Sequence, residues 1–399
     1  MSRSPLLSSW YIAGFEGSTH RRSDGRRLDL VAATQHDQHA RLDYRRMRRA
    51  GISSARETLR WHLVERSPGR FDFECELARL DAVATEGISV AWDLCHFGWP
   101  DHVDPRAPDF AGRYAAWAHA VGRILAARTA PPYWIAPQNE ISFAAWALDA
   151  GAMNPMLRGF GRHAKRAFVR GTIAAMDALR DELPGVRFIH PEPLINVAAD
   201  PSRPHERQLA DDANEAQFEA WDLLIGRLEP ELGGADRYLD VLGVNFYPHN
   251  QWSPDGALVE PGDPRHMPLA EMLRRLHDRY RRDILISETG AEDDHRAPWV
   301  RFVATEVERA RVAGVPIGGI CLYPILNHPG WEDDRHCRNG IWDYPDRRGR
   351  RRAHRDLLAM VAAGASRRSS GPVRGHPPAP GTAMSPSIRR RAPSRIPNR

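Results

Sequence analysis

The chain has 399 residues, 42% of them hydrophobic and 27% charged, with a formal net charge of +5. That length suits one barrel-sized domain or two medium ones, and no apolar run reaches the roughly 18 residues a membrane span needs. From Gly364 onward there are eight Arg and no Asp or Glu, so the rest of the chain carries about −3; a basic tail on a mildly acidic body excludes nucleic acid as the primary partner.

In chain order, short β-prone runs recur at residues 10–15 (WYIAGF), 52–59 (ISSARETL), 88–94 (ISVAWDL), 133–136 (YWIA), 186–190 (VRFIH), 239–246 (LDVLGVNF), 283–287 (DILIS) and 317–322 (IGGICL). Several are almost continuously apolar, as strands covered on both faces are. Segments with helical spacing lie between them. Residues 40–50 stop at Gly51, and residues 76–85 place Leu77, Leu80 and Val83 three apart; residues 111–128, 166–183, 215–228, 269–280, 300–313 and 353–363 follow. Eight strand-like runs, each followed by a helix-like run, predict an α/β fold of the (β/α)8 TIM-barrel class, one domain over residues 1–363. A doubly wound sheet also alternates, but it has no reason to stop at eight, and neither a GxGxxG nor a P-loop is present.

Residues 364–399 are rich in Pro, Ser, Gly and Arg with almost no large apolar side chains, a composition expected to stay disordered. Cys75, Cys95, Cys321 and Cys337 show no CxxC spacing and read as reduced thiols of a cytoplasmic protein. The N-terminal residues lack the apolar stretch of a secretory signal. His36, Asp37 and His39 look like a metal set, but the reading assigns them to the decoration of the first barrel helix. Glu292, Asp293 and Asp294 read as a solvated acidic loop. No zinc or calcium pattern is complete, so neither metal nor cofactor is expected.

Barrels of this class carry their chemistry at the C-terminal strand ends. Glu16 follows strand 1, Arg56 and Trp61 belong to strand 2, His96 follows strand 3, and Asn139 and Glu140 follow strand 4. Strand 6 runs into Asn245 and Tyr247, strand 7 into Glu288, and strand 8 into Tyr323 and Asn327, with Trp331 beyond. This acidic, aromatic and amide-rich set suits a sugar pocket. Carboxylates move protons or attack, amides and His bond hydroxyls, and aromatic faces stack on a pyranose. Glu140 and Glu288 would face each other across the pocket, the pair that glycoside hydrolysis needs.

On these residues the chain resembles the clan of (β/α)8 retaining glycosidases. Within it, the chain is most similar to glycoside hydrolase family 1, the β-glucosidase-like group, over roughly residues 8–363. Asn139-Glu140 matches the strand-4 Asn-Glu, and Ser287-Glu288-Thr289-Gly290 resembles the TENG nucleophile motif. Asn245-Phe246-Tyr247, Arg56 with Trp61, and His96-Phe97-Gly98-Trp99-Pro100 match in the family's order. The resemblance implies Glu288 as nucleophile and Glu140 as acid/base, with Asn139 on the sugar 2-hydroxyl. It implies Arg56 and Tyr247 as the groups that keep Glu288 ionised, and His96, Asn245, Glu16 and Trp331 as sugar-binding or supporting residues. Ile141 stands where the family has Pro, the strand-8 segment LNHPGWEDD lacks the usual Asn-x-Glu-Trp, and Glu16 replaces the usual Gln. The expected activity is retaining hydrolysis of a β-linked small glycoside or oligosaccharide. A transglycosylase or a non-hydrolytic carbohydrate-binding barrel is the alternative.

Overall fold

In the computed structural model, which describes residues 4–369, eight parallel strands close into a barrel. They are β1 (Tyr11–Gly14), β2 (Ser54–Thr58), β3 (Ser89–Asp93), β4 (Trp134–Ala136), β5 (Arg187–Pro193), β6 (Val241–Asn245), β7 (Asp283–Thr289) and β8 (Ile317–Leu322). Each pairs with the next, and β8 returns to β1. Every strand coincides with a predicted run. β5 and β7 continue past the predicted ends, carrying Glu192 and Glu288 within the strands themselves.

The described α-helices of six or more residues are α1 (His36–Arg49), α2 (Glu74–Glu86), α3 (Phe110–Arg128), α4 (Ile141–Ala150), α5 (Gly161–Glu182), α6 (Glu206–Ala216), α7 (Glu219–Leu224), α8 (Leu269–Tyr280), α9 (Arg296–Val312) and α10 (Arg355–Ser369). The predicted helix 215–228 is helical over 219–224 but is interrupted at 217–218, where one helix ends and the next begins. Gln217 turns its amide onto the Asn214 carbonyl, at 2.6 Å, and accepts the Ile195 N–H at 3.0 Å, so local side-chain bonds replace the helical ladder there. α10 runs to Ser369, beyond the predicted barrel end at residue 363, and a Cβ on Gly364 would sit 2.8 Å from the Tyr11 ring. The remainder of the predicted tail, from residue 370, lies outside the described residues. No described helix is long and apolar enough to cross a membrane, and the four cysteines are free thiols.

Alternation along the strands builds two cores. Ile12, Ala91, Trp134, Ile189, Val241, Leu285 and Cys321 fill the barrel, while a larger cluster packs between strands and helices. Trp61 belongs to that outer layer, stacked on Tyr114 and Trp117 with ring centroids 5.2 and 5.7 Å away.

Glu57 also points outward from β2, and it explains the metal-like histidine. His36 is buried, its Nδ1 2.9 Å from Asp43 Oδ2 and its Nε2 2.9 Å from Glu57 Oε1, with its ring stacked on Phe15. It is an internal ion-pair member and not helix decoration. Arg79 and Tyr44 bond the same Glu57, and Arg351 bonds Asp43. No group of three metal-binding side chains occurs among the described residues.

Burial opposes the charged His36 ring, but Glu57 and Asp43 outweigh it and raise its pKa above the ordinary 6.5. The folded state therefore holds the His36 proton more tightly than the unfolded chain. The resulting stability is complete below about pH 6.5 and is lost as pH rises through the raised value. Denaturant titrations of His36→Gln should show a loss of about 3–5 kcal/mol near pH 6 and a smaller loss near pH 9. A pH-independent loss would mean that the ring is neutral in the folded state.

Candidate active site

A cavity of about 1140 Å³ opens at the C-terminal strand ends. Glu16, His96, Asn139, Glu140, Tyr247, Glu288 and Trp331, all singled out from the sequence, line it. Asn245 lies just beneath. A depression of about 1310 Å³ elsewhere lies on the outer surface between α9 and α10 and touches none of the strand-end residues.

The floor is organised by Arg56, buried at 2% exposure. Its Nε donates to Asp93 Oδ1 at 2.9 Å, its Nη2 to Asn139 Oδ1 at 2.7 Å, and its Nη1 to Glu288 Oε1 at 2.8 Å and to the Ser287 carbonyl at 3.1 Å. The neighbours Glu57 and Glu65 are not its partners. Glu288 reaches the cavity through a bulge. Ile286 pairs with Val244 and Glu288 with the very next residue, Asn245, so Ser287 is an extra residue in β7. Strict alternation from Leu285 inside the barrel would place Glu288 on the helix side; the bulge turns it inward. Tyr247 donates to Glu288 Oε2 at 2.9 Å, so both Glu288 carboxyl oxygens are held.

Glu140 opens α4 in the left-handed region, at φ 42°. The loop before it is stitched to its neighbours: Asn139 N–H donates to the Cys95 carbonyl at 2.9 Å and Glu140 N–H to the Pro191 carbonyl at 3.0 Å. Asn245 Nδ2 donates to Glu140 Oε1 at 2.8 Å, and Ser287 Oγ fixes that amide by donating to Asn245 Oδ1 at 2.7 Å. Burial and the charge of Glu288 push the Glu140 carboxyl well above the usual carboxylate range. Burial raises Glu288 as well, contrary to the expected net lowering, but Arg56, His96 and Tyr247 oppose that rise. A proton shared between the two therefore resides on Glu140.

His96 hydrogen-bonds Asp93 through Nδ1 at 3.0 Å and Asn139 Nδ2 through Nε2 at 3.1 Å. Because Asn139 Oδ1 faces Arg56, its amide presents N–H to His96, which selects the tautomer with the proton on Nδ1. Glu16 accepts from the Ser18 N–H at 3.0 Å and the Ser18 hydroxyl at 2.6 Å through Oε1. Burial works against its charge, yet His96, His328 and these bonds hold its pKa below the ordinary value. Trp331 packs against Phe97 and the buried His20, whose ring burial keeps neutral down to about pH 4.

Sequence reasoning missed Asp93, Glu192 and the rim residues Phe143 and Trp146, and it quoted Ser287 and Phe97 as motif residues without giving either a role. Asp93 could have been found as the one charge in an apolar strand run, three residues before His96. Glu192 lay beyond the predicted end of strand 5. Glu292, read as solvated loop, lines the cavity rim and pairs with Arg335 at 2.6 Å.

The closed parallel barrel with polar strand ends defines the (β/α)8 class. Within it, the chain is similar to the β-glucosidase from Thermotoga maritima in complex with glucoimidazole, at a TM-score of 0.72 and 14% identity over 90% of this chain and 98% of that one. It is also similar to a family 1 β-glucosidase from the same organism, at 0.71 and 14% over 92% and 99% of the two chains. The form in complex with deoxynojirimycin gives 0.71 and 15% over 92% and 99%. No family model matches the chain, and no curated protein matches it in sequence. The likeness is one of fold.

Glu140 keeps its proton above the ordinary 4.5 in the folded state, so as pH climbs past that value the folded protein loses stability relative to a variant that cannot ionise. Glu140→Gln retains an acceptor for Asn245 and removes the carboxyl. Calorimetric scans should show its melting temperature close to that of the native protein near pH 4.5 and increasingly above it toward pH 8. A gain that shrinks with pH would show that Glu140 is ionised.

Proposed function

We propose that the protein is a retaining β-glycosidase, with Glu288 as nucleophile and Glu140 as acid/base. The observation that carries this reading is the contrast between the two carboxyl groups. Arg56 and Tyr247 both bond Glu288, whereas no cation among the described residues bonds Glu140, which feels the charge of Glu288 more strongly than that of Arg56.

In the first step a Glu288 oxygen bonds to the anomeric carbon as the glycosidic C–O bond breaks, and the leaving oxygen takes the Glu140 proton. In the second, Glu140 removes a proton from water, the water oxygen bonds to the anomeric carbon, and Glu288 departs with its electron pair. Arg56 and Tyr247 steady the carboxylate before attack and after release. Asn139 Nδ2 keeps a second N–H for a sugar hydroxyl, His96 fixes that amide through its bond to it, and Trp331 offers an apolar face. The cavity exceeds the roughly 300–1,000 Å³ of most small-ligand sites, which suits a sugar plus aglycone. An alcohol seated against Phe143 and Trp146 in place of water would make the second step a transfer, and product analysis with an added alcohol distinguishes the two.

A panel of aryl β-glycosides tests the reading. Glu288→Ala should abolish turnover. Glu140→Ala should slow it by about 10²–10⁴-fold, with azide restoring part of the rate by attacking the covalent intermediate without needing a base. Full activity in Glu288→Ala would overturn the assignment.

Charge narrows the substrate. Glu16, Glu260, Glu288, Glu292 and Asp293 line the cavity, and no Lys or Arg stands among its described lining residues. Like charges brought together cost several kcal/mol. Neutral aryl β-hexosides should therefore exceed their 6-phosphates and the corresponding uronides in kcat/KM by about a hundredfold or more. Preferential cleavage of the phosphorylated substrate would contradict this.

A further inference from the structure

Glu192 takes no part in the chemistry above, yet it stands directly behind it. It lies near the end of β5 with only 2% of its surface exposed, and no basic side chain among the described residues bonds it. Its two oxygens instead approach the backbone N–H of Ser142, at 3.3 and 3.2 Å. Ser142 belongs to the first turn of α4, and the residue that opens this helix is Glu140.

The strand therefore grips the helix start twice. Pro191 accepts the Glu140 N–H at 3.0 Å, and Glu192 accepts the Ser142 N–H two residues further on. A non-glycine residue does not hold a left-handed backbone by its own preference; the surroundings must impose it. The first turn of a helix also carries N–H groups without helical partners and a partial positive charge, which a carboxylate complements.

We propose that Glu192 is a positioning residue for Glu140: its carboxylate anchors the first turn of the helix that Glu140 opens, and so directs the Glu140 carboxyl at the leaving oxygen. This rests on the glycosidase reading only in naming that oxygen.

The charged groups around the pair are few. Glu288 and Arg56 face Glu140 from β7 and β2. Lys165 of α5 acts on Glu192 from a distance, its ammonium being paired with Glu219. Burial lifts the Glu192 carboxyl to about 7, and its charge adds to the influences that keep the proton on Glu140.

Two variants separate shape from charge. Glu192→Gln keeps an oxygen for the Ser142 N–H and removes the charge, whereas Glu192→Ala removes both. Carboxyl NMR titration of 13C-glutamate-labelled protein reads Glu140 directly, its resonance assigned by its absence in Glu140→Gln. In Glu192→Gln, Glu140 should titrate at lower pH than in the native protein. With an aryl glycoside, Glu192→Ala should lose about tenfold or more in kcat with little change in KM, and Glu192→Gln should recover most of that loss. A Glu140 titration unmoved in Glu192→Ala overturns the proposal, and so does a fully active Glu192→Ala. If the native protein cleaves no glycoside, the glycosidase reading falls, while the NMR titration still decides whether Glu192 governs Glu140.

Discussion

The site depends on one buried guanidinium. Arg56 sends its donors to Asp93, Asn139, Glu288 and the Ser287 carbonyl, groups on or just beyond β3, β4 and β7. A charge at that depth is tolerable only because two carboxylates face it and hydrogen bonds occupy its donors. The dependence runs both ways. Remove Arg56, and two buried carboxylates lose their cation, the bulge carbonyl loses its partner, and the Asn139 amide loses the bond that sets which way it faces. The planar fork suits this task, since it fixes direction at several partners at once, which a lysine ammonium cannot do.

Around that hub the barrel departs from its own regularity in order to aim side chains. Period-2 alternation packs the interior with Ile12, Ala91 and Leu285, then gives way at Ser287, where the extra residue lets Glu288 face the cavity. The resulting pocket is electrostatically lopsided. Cation and hydroxyl bond Glu288 directly, while Glu140 is bonded by an amide and feels two carboxylates. Two identical side chains thereby acquire different protonation, which general acid catalysis and nucleophilic attack both require.

The barrel was legible because its determinants are local. Apolar runs such as ISVAWDL and DILIS announce strands wherever they lie, and Gly51 and Gly87 mark helix ends. The lining residues were legible for a related reason, since the fold places strand ends at the pocket and the sequence shows which polar residues follow each strand. What stayed hidden was set by partners far along the chain. The role of His36 depends on Glu57 and Asp43 closing around it, which converts a metal-like spacing into an ion-pair network. The Ser287 bulge and the Glu192 contact depend on register between strands and on the first turn of α4, neither of which hydropathy records. Helix 215–228 is interrupted at 217–218 because Gln217 makes bonds that propensity does not anticipate.

The backbone at Glu140 has a further meaning. A side chain held at φ 42° costs on the order of 1–3 kcal/mol that glycine, and to a lesser degree asparagine, would avoid. Conformational preference and the burial of an unpaired carboxyl both weigh against glutamate at this position. A lineage that kept the barrel as a passive sugar receptor would therefore drift toward glycine here and gain stability by doing so. The glutamate thus stands against two physical gradients, and on the proposed glycosidase reading its presence says more about the chemistry of the pocket than the shape of the barrel does.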